Sequence, residues 1–244
     1  MVGASASSLS APPPEALARL ATEAVALVRE AGRDVRIGLG SGRAAQAFVR
    51  ALAAEAGRGL SVRGVPTSRA TAALATSLGL AVAELSEEPL DLTVDGADEV
   101  DPRLDLIKGY GGAFTRERIV AAASRHQVIL VTSEKLVPRL GARGRLPVEI
   151  VPFARPLCHR RLTALGCQPR LREAGSGPFV TDNGNWILDC AIAGQDDAAA
   201  LDREIRRIPG VVDTGFFLGT ADRVLVAEAE TVRVLRRAGN PGSA

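Results

Sequence analysis

Residues 92–120 read LTVDGADEVDPRLDLIKGYGGAFTRERIV, and the rest of the chain is organised around them. The apolar start of this stretch, preceded by Asp91, has the pattern of a buried strand. Asp95, Gly96, Ala97 and Asp98 then fall at its carboxyl end, where open α/β sheets place their ligands. Lys108 and Gly109 to Gly112 follow on a predicted loop. Thr115 is the expected N-cap of the next helix, which carries Glu117 in its first turn and continues through Ile119 to Ala123. Six carboxylates, a lysine and a glycine cluster beside one strand are more than folding requires, and we read the stretch as an active site.

On both sides of it the pattern is alternating. Glu15 to Ala31 has apolar residues at helical spacing and ends at Gly32. Val35 to Leu39 is an apolar strand, and Gly38 to Leu52 (GLGSGRAAQAFVRAL) reads as strand end, glycine turn and helix. Such a turn aims backbone N–H groups and a helix N-terminus at an anion. A tight strand-to-helix turn without a ligand carries the same residues, so this motif alone leaves both readings open. Further strands are expected at Leu60 to Val65, Val82 to Leu85, Asp91 to Val94 and Val128 to Val131, with a helix after Pro66 whose start, Thr67-Ser68, is explained by capping. The βαβ alternation predicts a parallel sheet with helices on both faces. Lys135, in TSEKLV, then lies at the same sheet edge as Asp95 and the Gly38–Gly42 turn.

The character changes near Leu146. An extended LPVEIVPFA, a helix over Arg155 to Leu165, strands at Gln168 to Arg172, Phe179 to Thr181 and Trp186 to Ala191, a helix over Asp196 to Arg207 and a strand over Val211 to Phe217 form a split βαβ order. Val224 to Val226 and Val232 to Leu235 return to the first sheet. The expected division is a tail over 1–14, a Rossmann-like domain over 15–143 plus 219–238, an inserted ferredoxin-like α+β lid over 144–218, and a loose end from Ala238.

The 244 residues are 46% hydrophobic and 24% charged, with a formal net charge of +2. That small excess gives no reason to expect nucleic acid or a membrane surface as a partner, and no apolar run reaches the ~20 residues of a membrane span. The N-terminal MVGASASSLSAPPP lacks the basic and apolar regions of a signal peptide. Three cysteines without a CxxC spacing and two histidines argue against zinc and fit a reducing cytoplasm. Cys158 beside His159 is read as structural. Lysine occurs only at Lys108 and Lys135, which makes both candidates for chemistry.

Asp95 and Asp98, three residues apart with Lys108 to balance them, can hold sugar hydroxyls and pass protons between oxygens. Glu117 is placed to act as a base on carbon, with Lys108 and the glycine-loop N–H groups near a developing enediolate. Glu99, Asp101 and Asp105 are read as solvated loop charges, and Asp182, Asn183 and Asn185 as a hairpin turn.

These residues resemble a known family. The 92–120 stretch, GVPTS at Gly64 to Ser68, PVEIVPFA at Pro147 to Ala154, VTDNGNWILD at Val180 to Asp189 and IPGVVDTGFFLG at Ile208 to Gly219 are similar, in order, to the A-type ribose-5-phosphate isomerases. The resemblance implies a cofactor-free, metal-free aldose–ketose isomerase of the pentose phosphate pathway, cytoplasmic, acting on a small sugar phosphate, and a homodimer or homotetramer. It implies Glu117 as the base that works through a cis-enediol, with Asp95, Asp98 and Lys108 as the other catalytic residues. Substrate contacts would come from Ser41, Gly42, Arg43, Ala44, Asp95, Gly96, Ala97, Asp98, Lys108, Gly109, Tyr110, Gly111 and Lys135. The chain departs from the family where a GTGST loop becomes Gly40-Ser41-Gly42-Arg43-Ala44, where Ala18 and Arg19 stand nearest a first-helix lysine, and where Tyr110 replaces a glycine and would crowd the sugar. Arg43 would replace the lost hydroxyls with a guanidinium contact to phosphate. The alternatives are a paralogue that isomerises another sugar or sugar phosphate, and a non-catalytic sugar-phosphate sensor.

Overall fold

The structure, a computed structural model, describes residues 12–237. Of the tails expected over 1–14 and from Ala238, residues 1–11 and 238–244 lie outside the described residues. Pro14, which the sequence assigned to the tail, is the first residue of the helix Pro14–Ala31.

The first sheet has seven strands in the order Val232–Arg236, Arg223–Ala227, Gln127–Thr132, Leu92–Gly96, Asp34–Leu39, Ser61–Pro66 and Ala81–Val82. All neighbours are parallel except the first pair. Its two faces serve different cores because successive strand residues point to opposite sides. Val128 and Leu130 join the core under the helices Pro14–Ala31 and Arg43–Ala56, where Leu20, Phe48 and Leu52 are wholly buried. Ile129 and Val131 face the other way, into a core with Phe114, Leu106 and Phe217. Central strands buried on both faces need the near-continuous apolar run that Gln127–Thr132 has.

The second sheet is antiparallel, in the order Val211–Thr214, Arg145–Ile150, Trp186–Ala191 and Gln168–Leu171, and its core includes residues of the helices Arg155–Ala164 and Ala198–Arg206. This is the split βαβ arrangement read from the sequence. A three-stranded patch of Phe216–Phe217, Leu106–Ile107 and Glu99–Val100 joins the two sheets. Gly215 permits the junction, because a Cβ there would lie 2.4 Å from the Lys108 carbonyl oxygen.

Several local expectations need correction. The strand expected over Val82 to Leu85 is only Ala81–Val82, an edge pair followed by exposed acidic residues. Phe179 to Thr181 is not a strand but a single bridge, Val180 to Trp186, because the turn that follows starts at Thr181. Val211 to Phe217 is not continuous: it breaks at Gly215 and its two halves belong to different sheets. Thr115 is not an N-cap, since the helix Phe114–Ala122 is already under way and its hydroxyl donates instead to Glu149 Oε2 at 2.5 Å. Glu99, Asp101 and Asp105 are buried rather than solvated. Glu99 accepts the N–H groups of Gly141 and Arg143, Asp101 those of Arg103 and Asp105, and Asp105 that of Gly219.

Candidate active site

The cleft opens at the carboxyl edge of the first sheet, where the Asp34–Leu39, Leu92–Gly96 and Gln127–Thr132 strands end. Its volume is about 250 Å³, suited to one small molecule. The two ends of the cleft have opposite chemistry.

At one end the helix Arg43–Ala56 starts without a side-chain cap, so its first N–H groups are open to an anion. Gly42, at the N-cap with φ 87°, takes a backbone conformation that favours glycine. Gly40 also has to be glycine, because a Cβ would sit 2.2 Å from Asp95 Oδ1. Ser41 Oγ lies 2.9 Å from Thr67 Oγ1 and donates to Ser68 Oγ at the same distance, so a hydroxyl cluster steadies the turn. Arg43 is exposed at the rim and Lys135 is half-buried nearby. Among the described residues neither makes an ion pair. Burial pulls the Lys135 pKa down, while Asp98 acts to hold it up.

At the other end Lys108, 3% exposed, is the centre of a buried charge cluster. Its Nζ donates to Asp95 Oδ2 at 2.8 Å, to the Gly96 carbonyl, and pairs with Glu117 Oε2 at 3.0 Å. Burial opposes the ammonium, but the two carboxylates hold the Lys108 pKa above its ordinary value. Glu117 is pushed up to about 8, by burial first and the neighbouring Asp95 second, which together outweigh the Lys108 pair. One lysine cannot neutralise two buried carboxylates, so the remaining charge is best removed by a proton on Glu117. Burial likewise raises the Asp98 carboxyl, against the Tyr110 N–H that donates to its Oδ2 at 2.9 Å and the charge of Lys108. A carboxylate poised near neutrality beside a fixed ammonium can take and return a proton on carbon.

The sequence comparisons match this geometry. A family model described as ribose 5-phosphate isomerase A (phosphoriboisomerase A) matches residues 63–231. The chain belongs to the ribose 5-phosphate isomerase A family. A ribose-5-phosphate isomerase A of Roseiflexus sp. (strain RS-1) is 51% identical over 204 residues, 82% of this chain and 88% of that protein. The solved ribose 5-phosphate isomerase A of Methanocaldococcus jannaschii superposes with a TM-score of 0.86 at 39% identity, over 91% of this chain and 98% of that one. A D-ribose-5-phosphate isomerase solved in complex with phospho-erythronic acid superposes with a TM-score of 0.87 at 36% identity, again over 91% and 98%.

In this member of the ribose 5-phosphate isomerase A family, twelve of the fourteen residues singled out from the sequence line the cleft: Ser41, Gly42, Arg43, Ala44, Gly96, Ala97, Asp98, Lys108, Gly109, Gly111, Glu117 and Lys135. Asp95 and Tyr110 do not. Asp95 is 2% exposed beneath Lys108, its Oδ1 accepting the Ser41 and Gly96 N–H groups. The Tyr110 ring turns away to the core of the second sheet, with the Arg145 guanidinium 4.6 Å from its centroid. Its side chain therefore does not crowd the cleft. Arg19 also points elsewhere, donating to the carbonyls of Glu228 and Ala229, and Leu17 is the first-helix residue at the cleft. Thr132 lines it too and was missed.

Sequence reading also missed Glu149 and Arg172. Glu149 is wholly buried and accepts from Thr115, Thr181, Asn183 and Asn185. It ties the start of Glu117's helix to the turn over Thr181–Asn185, whose asparagines therefore do more than turn the chain. A carboxylate inside the apolar run PVEIV was the available signal.

Proposed function

We propose that this chain interconverts D-ribose 5-phosphate and D-ribulose 5-phosphate. The observation that carries the reading is the polarity of the cleft: an uncapped helix N-terminus with two cations that make no ion pair among the described residues at one end, and a buried glutamate paired with a buried lysine at the other. A sugar phosphate has the matching polarity. The relatives named for this reaction support the assignment, and so does phospho-erythronic acid bound to one of them, a compound with phosphate at one end and a carboxylate at the other.

The phosphate accepts from the N–H groups of Gly42, Arg43 and Ala44 at the start of the helix and from the Arg43 and Lys135 side chains. Glu117 takes the proton from C2 of the open-chain aldose, and the electron pair moves onto O1 as C1–C2 becomes an enediolate. Lys108 and a glycine-loop N–H stabilise that charge. Asp98 passes the O2 proton to O1, and Glu117 returns its proton to C1, leaving the ketose. Asp95 holds Lys108 and the phosphate turn in place. The groups named here are all side chains or backbone amides. We divide the chain into a catalytic domain over 15–143 plus 219–238 and a ferredoxin-like domain over 144–218, and assign it to the cytoplasm as a homodimer or homotetramer.

Turnover of ribose 5-phosphate beside unphosphorylated ribose tests the assignment. It requires conversion of the phosphate ester and little of the free sugar. A folded protein that converts neither, or prefers free ribose, refutes it.

A further inference from the structure

Arg172 reaches from the second sheet to the back of the glycine loop. Its Nη1 donates to the carbonyl oxygens of Gly109 at 3.0 Å and Tyr110 at 3.2 Å. Its Nε and Nη2 grip both oxygens of Asp189, at 2.9 and 2.5 Å. Asp189 also holds Arg145, the residue stacked on the Tyr110 ring. The Arg172 side chain is 9% exposed. The loop wraps it closely: a Cβ on Gly112 would lie 3.5 Å from Nη1 and 2.6 Å from the Phe179 ring.

These contacts fix two consecutive peptide planes. In a trans peptide the C=O and N–H point in opposite directions. The Gly109 carbonyl and the Tyr110 N–H share one plane, with Arg172 on the carbonyl and Asp98 on the N–H. The Tyr110 carbonyl and the Gly111 N–H share the next, so the same guanidinium turns the Gly111 N–H away from itself. Gly111 lines the cleft, and among the described residues its N–H has no acceptor.

We propose that Arg172 is a positioning residue for the isomerisation: by holding the Gly109 and Tyr110 carbonyls from behind, it aims one N–H at Asp98 and the next at the substrate oxygen that becomes negative. The inference rests on the function proposed above. The guanidinium charge also polarises both peptides, which strengthens the N–H groups as donors on the far side. The competing role is to neutralise Asp189 alone.

The test measures kcat and KM for ribose 5-phosphate in wild type, Arg172→Met, Arg172→Lys and the double variant Arg172→Met/Asp189→Asn, together with amide hydrogen exchange at Tyr110. The double variant leaves no carboxylate short of a partner, so it carries the test if the single methionine variant does not fold. Misaimed donors should lower kcat on the order of 100-fold, with KM within about threefold because uniform binding is kept. The double variant should stay impaired, lysine should recover part of the loss, and Tyr110 exchange should accelerate in the methionine variants. Wild-type kcat in the double variant, or unchanged Tyr110 exchange, overturns the proposal. If wild type does not turn over ribose 5-phosphate, the functional reading falls, and Tyr110 exchange still decides the role of Arg172.

Discussion

In the proposed reaction Glu117 can act as a base only when its proton is gone, and the protein makes that ionisation difficult. Its carboxyl is buried beside Asp95, and Lys108 recovers only part of the cost, leaving the pKa at about 8. The consequence for pH has a definite sign. Below the raised pKa the protonated form dominates and cannot accept a proton from C2. Activity should therefore rise with pH and level off above about 8, with kcat/KM falling about tenfold per pH unit on the acid side. An ordinary glutamate would give a plateau from about pH 5.5 upward. A pH profile of kcat/KM distinguishes the two, and a flat profile between pH 6 and 9 would contradict the burial argument. Lys108, Asp95 and Glu117 were all visible in the sequence because they lie within one short stretch. Their linkage through a single ammonium was not, because it depends on which atoms meet.

In the proposed function, the element that would decide substrate class is the strand–turn–helix from Asp34 through Ala56. In the sequence it was ambiguous, since a ligand-free turn needs glycines too. The structure gives two of them separate reasons: Gly40 makes room for Asp95, and Gly42 takes a positive φ. Neither reason is phosphate. The argument for an anion comes from the uncapped N-terminus and from Arg43, exposed at the rim and without an ion pair among the described residues. Replacing Arg43 with alanine should raise KM for ribose 5-phosphate about tenfold or more, because a charge-assisted hydrogen bond contributes roughly 1.5–3 kcal/mol, with kcat little changed. Steady-state kinetics check this, and an unaltered KM would remove Arg43 from the phosphate site. The acidic loop after Leu92–Gly96 was misread for a related reason. Glu99, Asp101 and Asp105 look like surface charges in a polar sequence, but each is buried and accepts backbone N–H groups, Asp101 from its own loop and Glu99 and Asp105 from distant segments.

At the scale of the molecule, the second sheet and its flanking residues bond to the elements that carry the proposed site without lining the cleft. Glu149 holds the start of Glu117's helix, Arg172 holds the glycine loop, and Arg118 binds the same helix to the second sheet. Arg118 donates through Nε to Asp213 at 2.7 Å and through Nη2 to the Thr214 and Phe216 carbonyls at 2.8 and 2.6 Å, and its guanidinium lies 4.0 Å from the Phe217 ring centroid. Asp213 keeps Arg206 as a second partner, so Arg118→Met should cost about 2 kcal/mol rather than the full penalty of an abandoned charge. It should also lower kcat by moving Glu117, its chain neighbour. Urea unfolding together with kcat measures both, and full activity at wild-type stability would contradict the clamp. The succession of strands and helices, the parallel character of the first sheet and the split βαβ succession of the second were legible in the sequence from hydrophobic period and turn residues. The bonds between sheets were not: the contacts of Arg118 and Arg172 span 95 and 63 residues, and local pattern carries no information about partners so distant.

The central claim is that Glu117 moves a proton between C2 and C1 of ribose 5-phosphate. The most direct measurement is isomerisation in deuterated water by wild type and Glu117→Gln, following both turnover and carbon-bound deuterium in the product. The account predicts that wild type converts the substrate and incorporates deuterium at C1 of ribulose 5-phosphate. It also predicts that the glutamine variant, folded and still binding substrate, loses both by on the order of 1,000-fold or more. Turnover retained in Glu117→Gln would contradict the assignment of the base.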